Sequence, residues 1–92
     1  MRAPNDVEAH VLRGRIYERT GDYDLAIEEL KAATSWDPKQ TTAYVTLGRI
    51  YMARNDCANA QTALAKALQL DSASKGVLAL KRSVSAKCQP RD

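Results

Sequence analysis

Apolar residues recur along the chain at helical intervals, and short polar breaks interrupt them at regular distances. Val7, Val11, Gly14 and Tyr17 share one helical face, Leu25, Ala26, Leu30 and Ala33 a second, and Val45, Gly48 and Tyr51 a third. The breaks fall at Gly21-Asp22, Asp37-Pro38, Asn55-Asp56 and Asp71-Ser72, residue types that end helices or favour turns. Four breaks predict five helices, each with one buried stripe. Strands have little support, because Phe is absent, β-branched residues are scattered, and Ala, Leu, Lys, Arg, Glu and Gln dominate. At the helix starts, Asn5 followed by Glu8 predicts a capping box. Asp22 and Asp56 stand where a carboxylate would accept from unpaired backbone N–H groups.

Laying residues 7–37 over 41–71, an offset of 34, gives eleven identities: Ala9/Ala43, Val11/Val45, Gly14/Gly48, Arg15/Arg49, Ile16/Ile50, Tyr17/Tyr51, Asp22/Asp56, Ala26/Ala60, Leu30/Leu64, Ala33/Ala67 and Asp37/Asp71. Unrelated segments of this length would share about two, so the chain contains an internal repeat. Glycine inside a helix costs about 1 kcal/mol relative to alanine, so Gly14 and Gly48 mark close helix crossings. Ala26 and Ala60 are the small residues expected to face them. Ala33 and Ala67 make room for the next repeat, while Tyr17, Tyr51, Leu30 and Leu64 fill the remaining space. The same packing role is expected of Trp36 and His10.

A helix-turn-helix unit of 34 residues with small residues at these places resembles the tetratricopeptide repeat. The first unit reads His10-x2-Arg13-Gly14-x2-Tyr17, then Ala26-x3-Leu30, Ala33 and Pro38. The second reads Tyr44-x2-Leu47-Gly48-x2-Tyr51, then Ala60-x3-Leu64 and Ala67. Departures are Arg13 for an apolar residue, Leu30 and Leu64 for an aromatic, and Ser72 for the closing proline. The resemblance implies an all-α solenoid of antiparallel helix pairs in one domain. Repeat 1 covers 5–38, repeat 2 covers 39–72, a capping helix 73–88, and a tail 89–92. The capping helix is expected to bury Val77, Leu78 or Leu80, and Val84, and to show Lys81, Arg82 and Lys87 to water. No comparable cap is legible at the other end, and Pro4 falls in register with Pro38 as if a further repeat preceded it.

By the same resemblance, the units stack into a right-handed superhelix whose concave face holds a peptide of a protein partner. Its walls would be Glu8, Val11, Leu12, Arg15, Glu18 and Arg19 from the first unit. The second would supply Thr42, Val45, Thr46, Arg49, Met52 and Ala53, and the cap Ser83 and Lys87. Arg15 and Arg49, one repeat apart, suit carboxylates or carbonyls of such a peptide, whose apolar side chains would rest on Val45 and Met52. Alternatively the two arginines pair with Glu8 and Glu18 and solvate a helix face. Family members that grip chaperone C-termini use a cationic and amide clamp, but the matching positions here carry Val11, Arg15, Thr46, Gly76 and Leu80. That specificity is not expected.

Charge and chemistry narrow the remaining classes. The formal charge of +3 is dispersed, which does not prompt nucleic-acid binding. No apolar stretch reaches the roughly 18–20 residues of a spanning helix, so membrane insertion is not expected. One histidine, and neither triad nor phosphate loop, point away from an enzyme, and no cofactor is implied. Two cysteines and one histidine are too few for a structural zinc site. Cys57 and Cys88 are either two thiols or a disulfide, and repeat geometry brings them to one edge. A bridged pair suits an oxidising compartment and a reduced pair the cytoplasm, so localisation stays open. A second expectation is homo-oligomerisation through the uncapped first helix.

Overall fold

Each predicted break falls where a helix ends. The computed structural model describes residues 6–88, and five α-helices run through them: α1 (Val7–Thr20), α2 (Tyr23–Trp36), α3 (Thr41–Ala53), α4 (Cys57–Leu70) and α5 (Lys75–Lys87). No strand occurs among the described residues. The α1/α2 and α3/α4 hairpins stack side by side. α1, α3 and α5 touch in one layer while α2 and α4 form the other, giving a body of 52 × 26 × 19 Å.

The turns repeat as the sequence does. Gly21 has φ +84° and donates to the Glu18 carbonyl, while Asp22 N–H reaches Tyr17 O at 2.9 Å. Thirty-four residues on, Asn55 takes the same left-handed conformation (φ +59°), and Asp56 N–H reaches Tyr51 O at 2.8 Å. Glycine and asparagine are the residues that tolerate this conformation at a helix end. Between repeats, Asp37 Oδ1 accepts from Lys39 N–H at 3.0 Å and Asp71 Oδ1 from Ala73 N–H at 3.2 Å. The aspartates thus make the turn in both places, and Ser72 can replace proline without changing it.

The helix starts differ in part from expectation. Asp6 caps α1, accepting from Ala9 N–H at 3.1 Å, whereas Asn5 lies outside the described residues and so does the tail. Asp56 caps α4 through Asn59 N–H, and hydrogen bonds from the Asn59 side chain and backbone hold its carboxyl below the ordinary range. Asp22 precedes α2 but makes no side-chain cap bond; its carboxylate accepts from the Thr20 hydroxyl instead.

The core is built on the small residues. Ala26, Ala33, Ala43, Ala60 and Ala67 are fully buried, and so are Leu30 and Ile50. Gly14 lies against Leu30 within its own repeat, whereas Gly48 lies against Leu80 of α5. Leu64 is only partly buried and packs against two buried groups, Met52, Ala60 and Leu80 on one side and Val45, Ala67 and Val77 on the other. α5 buries Val77, Leu80 and Val84, and Leu78 points to solvent. Leu25 and Trp36 also correct the sequence reading: Leu25 is half-exposed, and Trp36, at 58% exposure, packs into no core.

The first repeat departs from the second on its outer flank. Where repeat 2 has Leu47 and Ala63 in one core cluster with Leu30 and Ala33 of α2, and Tyr44 against Val45, Ala67 and Val77, repeat 1 has Arg13, Glu29 and His10. Glu29 Oε1 accepts from Arg13 Nε at 3.1 Å and lies 2.8 Å from His10 Nδ1. Burial pushes the Glu29 carboxyl up, but the bonds and charges of His10 and Arg13 outweigh it and leave the pKa lowered. This cluster makes the Arg13 departure intelligible and dresses part of the open flank in polar groups. Leu12 and Ile16, at 55% and 50% exposure, remain bare beside it, although their counterparts Thr46 and Ile50 are fully covered.

Candidate functional site

The layer of α1, α3 and α5 carries a shallow trough. Three contiguous depressions of about 350–370 Å³ each follow the stack. The first is lined by Glu8, Val11, Leu12, Arg15, Gln40 and Thr42. The second shares Arg15 and Thr42 and adds Thr41, Val45, Thr46, Arg49, Asp71, Ser74 and Gly76. The third shares Arg49 and adds Glu18, Met52, Ala53, Leu80, Ser83 and Lys87. A side chain at i and its neighbour at i+3 or i+4 share a helix face, which is how three parallel helices present one continuous row.

Most residues expected in the wall meet here, but their availability is unequal. Arg19 is exposed on α1 yet lines none of the three depressions. Val11, Val45, Thr46 and Met52 are buried and form the floor. Val45 packs with Ala67 and Val77, and Met52 with Ala60, Leu80 and Val84, so both mainly serve the core. The Thr46 hydroxyl is occupied too, donating to Thr42 O at 2.8 Å. Gln40, Thr41, Asp71, Ser74, Gly76 and Leu80 also line the trough, outside the expected wall. All but Leu80 lie in the inter-helix turns or within two residues of them, where repeat identities give no guide.

The two arginines have different fates. Arg49 forms a two-point ion pair with Glu18 of the preceding repeat, Nε to Oε2 at 2.8 Å and Nη2 to Oε1 at 2.9 Å. The hydrogen bond to Glu18 raises the Arg49 pKa further above its already high ordinary value, with burial opposing. Arg15 makes no hydrogen bond or ion pair among the described residues and stands exposed where the first two depressions meet. The alternative reading of a solvated pair therefore holds for Arg49 with Glu18, and Glu8 does not pair with Arg15. By the internal repeat, Arg15 has the place of Arg49 without its Glu18.

At the cap, the Cys57 and Cys88 sulfurs are bonded, with Cα atoms 5.7 Å apart, and the Cys88 sulfur rests 3.5 Å from Met52 Sδ. The bond joins the first residue of α4 to the capping residue that follows α5. No cluster of three or more potential metal ligands occurs among the described residues, and no described helix is long and apolar enough to cross a membrane.

The tetratricopeptide repeat profile matches residues 19–84, well over half of the chain. With the paired helices, the repeated turns and the alanine-lined crossings, this places the protein in the tetratricopeptide repeat family. Members of that family generally mediate protein–protein interaction and are generally non-catalytic. No curated protein matched the chain.

Proposed function

We propose that this protein is a non-catalytic interaction module that holds a peptide segment of a protein partner along the α1/α3/α5 trough. The observation that carries the reading is Arg15: an exposed guanidinium with no ion-pair partner among the described residues, where the first two depressions of the trough meet, beside the buried Val11 and Val45. A guanidinium there offers two parallel N–H donors to a carboxylate or to successive backbone carbonyls of an extended chain. Arg49 contributes chiefly by holding the two repeats at a fixed distance through Glu18.

The test is an immobilised peptide library probed with the wild-type chain and with Arg15→Glu. Peptides that bind in the micromolar range and lose about ten-fold or more on Arg15→Glu, at an unchanged melting temperature, support the reading. Binding that survives the charge reversal removes it. Arg49→Ala is the poorer probe, because it also breaks the inter-repeat ion pair.

A second reading, self-association through the open flank of α1, draws support from the exposure of Leu12 and Ile16. The Arg13 and Glu29 side chains beside them limit the apolar area such a contact would bury. Sedimentation equilibrium separates the two readings: a monomer mass at all concentrations excludes the second.

A further inference from the structure

The α5 wall of the trough is its least secured part. α5 carries Lys75, Lys81, Arg82 and Lys87 and no acidic residue, so its charges repel and no i,i+4 ion pair supports it. Gly76, Val77, Ser83, Val84 and Ser85 are all weaker helix formers than alanine or leucine. A helix of 13 residues is marginal in isolation and depends on packing. That packing is a single row, Val77, Leu80 and Val84, and among the described residues no ion pair reaches α5 from the rest of the chain. Two ties hold its far end: Gln61 Nε2 donates to Cys88 O at 3.3 Å, and Cys88 is bonded to Cys57.

We infer that the Cys57–Cys88 bond is a redox latch on the trough, and that a dithiol reductant opens it by releasing the C-terminal half of α5. The inference rests on the trough being the working surface, because two of the residues set loose, Ser83 and Lys87, wall its third depression. Cys57 is partly exposed whereas Cys88 is 9% exposed, so the step is drawn with attack at Cys57, the less buried residue of the pair. A thiolate of the dithiol attacks Cys57 Sγ, forming a mixed disulfide and expelling Cys88 as a thiolate. The second thiol of the reductant, deprotonated, then attacks its own sulfur in that mixed disulfide and expels Cys57. Two electrons pass from the dithiol to the pair, the reductant leaves as a disulfide, and its two protons end on Cys57 and Cys88. Without the bond, the end of α5 keeps the Gln61 contact and the packing of Val84 and Cys88 beside Met52 and Ala60, and local fraying there costs little.

The test is the set of Cα chemical shifts of the isotopically labelled chain when oxidised, when reduced with dithiothreitol, and as the Cys57→Ser/Cys88→Ser double variant. Helical shifts over residues 81–87 are expected to fall by about half or more in the reduced chain and in the variant, with α1 to α4 unchanged. Retention of helical shifts in α5 overturns the latch. So does a parallel loss in all five helices, which would make the bond a general staple. These shifts are read without ligand, so a failed latch leaves the Arg15 test of the trough standing, and a failed Arg15 test leaves the movement of α5 measurable.

Discussion

Replacing each repeat glycine with alanine separates the two helix crossings that the sequence makes look identical. Both substitutions gain about 1 kcal/mol of helix propensity. A Cβ at Gly14 would lie 2.5 Å from Leu30 Cγ and 2.7 Å from its Cδ2. Leu30 is fully buried at the centre of the larger core cluster, so its branch carbon cannot move without shifting Ala26, Ala33 and their neighbours. Overpacking of this kind costs about 1–3 kcal/mol, and a fixed branch carbon puts Gly14 at the upper end. A Cβ at Gly48 would instead overlap Leu80 Cδ2, the tip of a side chain, with Cγ further off at 3.3 Å. A rotation of that tip costs about 1 kcal/mol, which the propensity gain offsets. Gly14→Ala is therefore expected to lose about 2 kcal/mol, a fall in melting temperature on the order of 10 °C for a domain of this size, while Gly48→Ala stays near wild type. Circular dichroism at 222 nm during heating reads the difference. The exposed Trp36 makes fluorescence a poor reporter. Equal losses, or a Gly14→Ala chain more stable than wild type, would refute this reading of the crossings.

Three further outcomes are expected. Reduction of the Cys57–Cys88 bond, which closes a sequence separation of 31, lowers stability by on the order of 3–4 kcal/mol in the chain-entropy picture, and equal melting midpoints with and without reductant would contradict it. Glu29 has a pKa below its ordinary 4.5, so its stabilising effect is present above the unfolded value and is lost as pH falls through the folded one. Glu29→Gln should accordingly flatten the acid side of the stability profile, and an unaltered profile would sever that link. A cycle of Glu18→Gln, Arg49→Met and the double variant in urea unfolding should give a coupling of about 0.5–1 kcal/mol that shrinks in high salt, whereas zero coupling would reduce the ion pair to a surface accident.

The sequence displays the contacts that recur. Ala26 and Ala60, Ala33 and Ala67 are legible because each repeat must solve the same packing problem 34 residues later, whereas Gly14 and Gly48 match in identity but meet Leu30 of α2 and Leu80 of α5. The left-handed residues Gly21 and Asn55 repeat in conformation but not in identity, so matching letters passes over them. Contacts made once leave no period. Glu18 meets Arg49 across 31 positions, and the place of Glu18 is taken by Met52 in the next repeat, so no second copy of the pair signals the first. The His10, Arg13 and Glu29 cluster shows in the sequence only as a missing apolar residue at Arg13. Trp36 and Leu25 fit a helical stripe by spacing, but a stripe gives an angle and not a covering neighbour. The trough is legible in outline for a related reason: the family resemblance implies which helices line it, while the burial of Val45 and Met52 depends on Val77, Leu80 and Val84 of α5.

The most direct measurement is a two-dimensional amide spectrum of the labelled 92-residue chain during titration with the strongest peptide from the library. Shifts concentrated at Arg15, Thr42, Val45, Arg49 and Ser83, with the Trp36 indole unmoved, are the expected result. Shifts centred on Trp36, Leu70 and Leu78, with the trough amides still, would contradict the assignment of the α1/α3/α5 face as the working surface.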